Sequence, residues 1–424
     1  MTPAAEQRRD ATVPPAAQSK RAFRRFSLSG IFFQGGAAAI DSNTVVPALV
    51  HGLTGSAVAV GAAVGALRFG WLFPQLFVAY YSQRRTHRMP FYVLGAFGRA
   101  VCLAGLAVLL WFAASLPGPL LVAGFFALWT LYSFVSGIVA VPYNDIVARS
   151  IPSGERSRML ALRFFGGGAL ALMVASAGHE MLASLSFFRA FAALFSLGAV
   201  LLLVSALFFV TAGEAAAPVS PSPAAGFLKF LRGGFDVLLD DRRFRLFLLA
   251  QWLAGTASMA LPFYVLQARA SASEVAILLG AQIGGALLSN PLWGWWGDRR
   301  GKRELLEVVA AAGAMAPLLA LAWIANEGRW AAGALPYFAT IFMILGAVGN
   351  GGTIAYLGYL MEISPDDRRP AYSGYFNALI APAALLPIAA GAVADAGSGS
   401  FAAVFALSAG AALLQFLAVW RLRS

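Results

Sequence analysis

The chain has 424 residues, 59% of them hydrophobic and 12% charged, with a mean hydropathy of +0.73 and a formal net charge of +12. Soluble domains carry about 25% charged residues, so an ordinary soluble protein is excluded. The basic excess is not gathered on one soluble segment, as a nucleic-acid surface would require. It sits at the ends of apolar runs, which is a topology signal, and no nucleic-acid partner is expected. The alternating pattern of a membrane barrel is absent.

In chain order, residues 1–26 hold Arg8, Arg9, Lys20, Arg21, Arg24 and Arg25 but no short apolar stretch ending in a cleavage site. They read as a disordered basic cytoplasmic tail and not as a signal peptide. Apolar runs of roughly 20 residues follow, long enough to cross a ~30 Å hydrocarbon core as helices. They predict spans at 28–50, 56–81, 90–113, 119–142, 159–181, 187–211, 244–267, 274–297, 304–325, 335–360, 371–395 and 400–420. The fold class expected is therefore an all-α membrane protein of twelve transmembrane helices. With the N-terminus inside, 26 Lys and Arg fall on the inner side and only Arg189, Arg269 and Arg329 outside. That asymmetry places both termini in the cytoplasm. The single cysteine, Cys102, lies within an apolar run, so no internal disulfide exists.

Residues 212–243 break the pattern. They open rich in Ala, Pro and Ser (Pro218, Pro221, Pro223) and turn charged from Lys229 to Arg243, with a surface helix expected around 226–240. This is a cytoplasmic linker between an N-terminal six-helix bundle, 27–211, and a C-terminal one, 244–424. The halves echo each other. The stretch Gln83-Arg84-Arg85-Thr86-His87-Arg88 stands 215 residues before Asp298-Arg299-Arg300-Gly301-Lys302-Arg303, and Pro152 stands 213 residues before Pro365. Two echoes at nearly one offset indicate a duplicated unit.

The run from Gly294 to Arg303, between the eighth and ninth spans, has the spacing Gly, three residues, Asp, Arg, any, Gly, any, Arg, at Gly294, Asp298, Arg299, Gly301 and Arg303. It resembles, position for position, the loop signature of the major facilitator superfamily. The resemblance covers essentially residues 27–422. It implies two six-helix bundles around a central cavity lined by helices 1, 4, 7 and 10, and a monomer in the lipid bilayer. It also implies that this loop is a cytoplasmic latch, closed when the cavity faces outward. From the residues alone, Asp298 would favour the N-terminus of helix 11, Gly294 would permit close helix approach, and Arg299 and Arg303 could pair with Asp298 or with lipid phosphates. The N-terminal copy has Gln83 where the Asp belongs and Thr86 for the second Gly, so gating is expected to be asymmetric.

Asp41 lies about thirteen residues into the first span, ~20 Å deep at 1.5 Å per residue. An unpaired carboxylate there costs several kcal/mol unless protonated, paired or wetted. Alternation between wet and dry surroundings would make it bind and release a proton. It is read as a proton-coupling or substrate-binding acid, the alternative being a structural acid held by an arginine. Gln34, seven residues earlier, continues its polar stripe. Arg68, near the middle of the second span, could pair with Asp41 or, facing the cavity, attract an organic anion; Arg99 in the third span reads as structural. The softer candidates are Tyr132 (with Ser136), Gln251 (with Ser258 and Pro262), Asn350 and Tyr356 (beside Gly349 and Gly352), and Asn377.

No phosphate-binding loop of the ATPase type, zinc spacing or nucleophile–base motif occurs, so neither an enzyme nor a cofactor is expected. Gly166-Gly167-Gly168 stands where drug antiporters of the superfamily carry a Gly-Pro pattern. The expected function is secondary transport of a small organic solute by alternating access, coupled to protons through Asp41. The alternatives are an uncoupled uniporter, an organic-anion exchanger using Arg68, or a non-transporting receptor or scaffold on the same fold. High Ala, Gly and Arg point to a bacterial inner membrane.

Overall fold

The computed structural model describes residues 16–82, 85–214, 238–239, 241–326, 333–364, 369–397 and 399–423. Gln83, Arg84, Arg329, Pro365, Arg8 and Arg9, and most of the linker with its expected surface helix, lie outside these residues. Among the described residues every regular element is helical, and they arrange as α1 (Ala16–Ala38 and Val45–Thr54), α2 (Ala57–Ser82), α3 (Met89–Trp111), α4 (Gly118–Ser150), α5 (Ser153–Ser184) and α6 (Phe187–Val210). The second half gives α7 (Arg242–Ala257, a 3-10 turn Ser258–Phe263 and Tyr264–Gln267), α8 (Ala272–Arg299) and α9 (Lys302–Gly313 and Met315–Ala325). It closes with α10 (Ala334–Ile363), α11 (Arg369–Ile380, a 3-10 turn Ala381–Leu385 and Leu386–Ala396) and α12 (Ala402–Trp420). Eleven of these, α2 to α12, are long and apolar enough to cross a membrane. Their outward faces carry large apolar side chains, such as Val101, Phe165 and Leu288, which water would not tolerate as a continuous surface.

Two expectations are corrected. The first span is not one continuous helix: it breaks at 39–44, around Asp41, so α1 is absent from the eleven. It also starts earlier than expected, at Ala16, taking in part of the stretch read as a tail.

Lipid tails are as apolar as leucine, so helices associate in a membrane through close packing of small residues. α8 and α10 cross at Gly285 and Gly346: a Cβ on Gly285 would lie 2.0 Å from the Met343 carbonyl oxygen, and one on Gly346 1.9 Å from that of Gln282. α2 and α11 cross in the same way, at Gly61 against Pro387 and at Gly391 against Ala57. Buried indoles tie neighbours together: Trp129 Nε1 donates to the Ala63 carbonyl at 2.8 Å, Trp293 Nε1 to Ala347 at 2.8 Å and Trp252 Nε1 to Leu379 at 3.1 Å.

The α2–α11 seam joins the halves at the end of the molecule away from the 299–303 loop. There Asp395, near the end of α11, accepts from Ser56 Oγ (3.1 Å) and from the backbone N–H groups of Ala57 (3.1 Å) and Val58 (3.2 Å). A carboxylate from one half thus caps the first turn of a helix in the other, where orphan N–H groups and the helix dipole both favour it. His179 of α5 meets the Ser273 carbonyl of α8 at 3.0 Å nearby.

At the opposite end the N-terminal half is clasped within itself. Glu214, just past α6, accepts from the backbone N–H groups of Arg88 and Met89 at the start of α3, both at 2.8 Å, and pairs with Arg149 at 2.8 Å. Asp145 of α4 pairs with Arg88 and accepts from Arg149 Nε at 2.8 Å. The Glu214 side chain is only 4% exposed, so the clasp is a partly buried network with this carboxylate at its centre.

These contacts make three predictions. Gly346→Leu forces apart the α8–α10 crossing and should abolish monodisperse, folded protein on size exclusion, whereas Gly280→Ala, with open space around it, should be tolerated. Glu214→Gln leaves Arg149 short of one charge-assisted partner and should lower stability by about 1–3 kcal/mol, read as a drop in melting temperature. Asp395→Ala uncaps α2 across the seam. Amide hydrogen exchange in the peptide covering residues 55–60 should then speed up at least about tenfold.

Candidate functional site

Between the halves lies a cavity of about 610 Å³. Its walls come from α1, α5, α7, α8, α9, α10 and α12, and its polar lining includes Gln34, Asp41, Asn43, Gln251, Ser258, Gln282, Asn290, Asn350, Thr353, Tyr356, Ser408 and Gln415. Of the residues singled out in the sequence, Gln34, Asp41, Gln251, Asn350 and Tyr356 are brought together here. Arg68, Tyr132 and Asn377 are not among the lining residues.

α4 contributes nothing to this wall, contrary to the expectation for helices 1, 4, 7 and 10. Tyr132 is 6% exposed and stacks on Trp129, with ring centroids 5.2 Å apart, inside the N-terminal core. Arg68 feels the charge of Asp41, yet no salt bridge within 4 Å joins them among the described residues. Arg99 is buried with its guanidinium over the Phe33 ring at 4.8 Å, a packing role in keeping with its structural reading.

The position of Asp41 follows from the break in α1. Asp41 Oδ1 accepts from the Asn43 backbone N–H and from Thr44 Oγ1, both at 2.9 Å, and the Asp41 carbonyl accepts from Val46 N–H at 3.0 Å. A short polar side chain that bonds its own backbone two residues on is the local chemistry that turns a chain out of a helix. Pro47, lacking an N–H, can give no helical bond back to the Asn43 carbonyl. The other oxygen, Oδ2, reaches across to α8 and accepts from Gln282 Nε2 at 3.3 Å. Asp41 is therefore held by one half and touches the other.

α7 is interrupted at the corresponding place. Pro262 stands 215 residues after Pro47, and Gln251 stands 217 after Gln34. The 3-10 turn begins at Ser258, and the Ala257 carbonyl beside it accepts from Ser408 Oγ of α12 at 2.6 Å. On the facing wall Asn350 Nδ2 of α10 donates to Asn290 Oδ1 (2.6 Å) and to the Ala286 carbonyl (3.3 Å) of α8.

Sequence reasoning missed Gln282, Asn290, Asn43, Ser408 and Gln415. Gln282 and Asn290, eight residues apart on one helical face of an apolar span, were a readable signal. Attention confined to helices 1, 4, 7 and 10 passed over it.

The signature loop is free in this conformation. The Asp298 side chain is 81% exposed and pairs with Lys302 at 3.2 Å, not with Arg299 or Arg303. Arg299 lies over the Trp295 ring at 5.6 Å, and Arg303 pairs with Glu307. Gly301 has φ +88°, which only glycine adopts freely, and it starts α9 tightly after α8. Gly294 does not mediate a close approach: a Cβ there would meet nothing within 4 Å.

Residues 246–424 match the family model described as Major Facilitator Superfamily. No curated protein matches the sequence. Among solved structures, a point mutant of the nucleoside transporter NupG is similar at a TM-score of 0.73 and 13% identity, covering 95% of this chain and 100% of that one. A POT family transporter in complex with 5-aminolevulinic acid is similar at 0.71 and 11%, covering 95% and 97%. A D-xylose–proton symporter follows at 0.69 and 15%, covering 95% and 97%. At these identities the likeness speaks for the fold. Residues 246–424 thus match the Major Facilitator Superfamily by sequence, and the chain as a whole is similar in fold to these solved transporters.

Proposed function

We propose that the protein is a secondary transporter that carries a small organic solute by alternating access, with Asp41 as the proton-coupling carboxylate. In this reading twelve helices span a bacterial inner membrane, α1 crossing as a broken pair, the molecule acts as a monomer, and both termini are cytoplasmic. The observation that carries it is the placement of Asp41: at a helix break, in a cavity between the halves, bonded to its own half and to Gln282 of the other. A carboxylate so placed loses one partner whenever the halves separate, which changes its hydration and so its hold on a proton. With the arginine-rich end cytoplasmic, the free Asp298 loop and the sealed Asp395 seam correspond to an inward-facing state. The solved neighbours named for nucleosides, xylose and 5-aminolevulinic acid are in keeping with a small polar cargo.

Closure of the inner end would bring α8 and α11 together and give Asp298 the helix N-terminus it lacks here. The test is transport in proteoliposomes. Asp41→Asn should abolish solute accumulation driven by a pH gradient while solute counterflow persists; accumulation that survives the substitution sinks the coupling role. Asp298→Asn should slow transport several-fold with little change in melting temperature, because the side chain is exposed in the resting state.

A further inference from the structure

The lining of the cavity restricts what it can hold. Seven carboxamides face it, Gln34, Gln251, Gln282, Asn43, Asn290, Asn350 and Gln415, and among the lining residues there is no Lys, Arg or His. Arg68 lies outside the lining, and Arg99 is committed to the Phe33 ring. An anion entering here would give up its hydration without touching a cation, since Arg68, whose charge reaches Asp41, stands behind the lining and not in it, and an ionised Asp41 would repel the anion.

The donors and acceptors are unevenly satisfied. An ionised carboxylate can only accept, so Gln282 must turn its NH2 toward Asp41. Its carbonyl oxygen is left buried with no donor, and so is Asn43 Oδ1. Two carboxamide oxygens beside Asp41, on Asn43 and Gln282, thus await a donor that the protein does not supply, while both Asp41 oxygens are already served. Gln34 and Gln251 make no hydrogen bond to other described residues, and they face the cavity from α1 and α7 at equivalent places in the two halves. A carboxamide offers both a donor and an acceptor at one position, which suits hydroxyl, amide and heterocyclic groups.

We propose that the cavity binds a donor-rich polar solute carrying no negative charge, bridged between Gln34 and Gln251, with one of its N–H or O–H groups on the carboxamide oxygens of Asn43 and Gln282 beside Asp41. This inference rests on the transport reading above and narrows it. Because Gln34 and Gln251 belong to different halves, the solute is gripped from both sides only when the halves close on it.

The test is thermal stabilisation of the purified full-length protein by a library of polar metabolites sorted by charge. It is followed by affinity measurements on the matched pairs glucose and glucuronate, uridine and uridine 5′-monophosphate, and nicotinamide and nicotinate. Stabilising compounds should be neutral or cationic, and in any pair that responds the anion should bind at least about tenfold more weakly. Gln34→Leu and Gln251→Leu should each weaken the responding solute about tenfold or more, with melting of the unliganded proteins unchanged. An anion as the strongest binder, or leucine variants of undiminished affinity, overturns the proposal. Silence across the library, joined to no solute-evoked flux in proteoliposomes, overturns instead the transport reading beneath it.

Discussion

A backbone carbonyl or N–H without a partner costs several kcal/mol in hydrocarbon, so a membrane protein can interrupt its helices only where something else satisfies the freed groups. That constraint governs the middle of this molecule. α1 stops at Ala38 and resumes at Val45 because Asp41 and Thr44 take over the hydrogen bonding at the gap. α7 tightens into a 3-10 turn at Ser258, where Ser408 Oγ donates to the neighbouring Ala257 carbonyl. Both interruptions open onto the same cavity. Asp41 and Ser408, two of the groups that make the breaks tolerable, also line that cavity, so the repair of the backbone and the polar lining are built from the same residues.

The two ends of the molecule are built on different physics. The end of the N-terminal half where α3 begins and α4 finishes is a closed network of Arg88, Asp145, Arg149 and Glu214. Breaking a buried network costs the full desolvation of whatever is left unpaired, so this end holds together as a unit. The corresponding loop of the C-terminal half is solvated, with its acid paired only to a lysine one turn away. Exposed pairs of that kind contribute little to stability, which leaves the loop free to exchange partners. The two halves thus differ at this end, with a networked clasp on one and a solvated pair on the other. Gln83 in place of an aspartate fits this outcome: the acid that caps α3 comes from Glu214, at the end of the bundle, and not from the loop.

Much of this was readable in the residues. The apolar runs locate α2 to α12, mostly to within a few residues, although α4 runs eight residues past its expected end and α5 starts six residues early, and the spacing from Gly294 to Arg303 pointed to the family whose model matches residues 246–424. Asp41 stood out because an acid at that depth demands a reason. The break in α1 was not readable, since the run from Ile31 to Leu53 is apolar enough to pass for one helix; the signal lay in Asp41-Ser-Asn-Thr44 ahead of Pro47, a turn and cap sequence hidden inside it. Pairings were the weakest inference. An Asp41–Arg68 pair was expected although the two differ in depth along their helices, but which faces meet depends on helix rotation, and that is set by crossings such as Gly285 with Gly346, whose partners lie far apart in sequence. Glu214 was missed for a similar reason, as a single acid at the edge of a linker with no periodicity to mark it.

Opening the cavity to the other side requires a specific set of losses. The Asp395 carboxylate must leave three donors on α2, and backbones in contact at Gly61 and Gly391 must part. These contacts are numerous but individually modest, each hydrogen bond contributing on the order of 1 kcal/mol net, or somewhat more for a charged acceptor. In the proposed cycle their sum would be offset by equivalent contacts at the other end, were Asp298 to cap α11 as Asp395 now caps α2. Two caps so nearly symmetric would leave the free energy difference between the two states a small difference between similar terms. Under that proposal a solute or a proton bound at Asp41 would need only a few kcal/mol of preference to tip the balance.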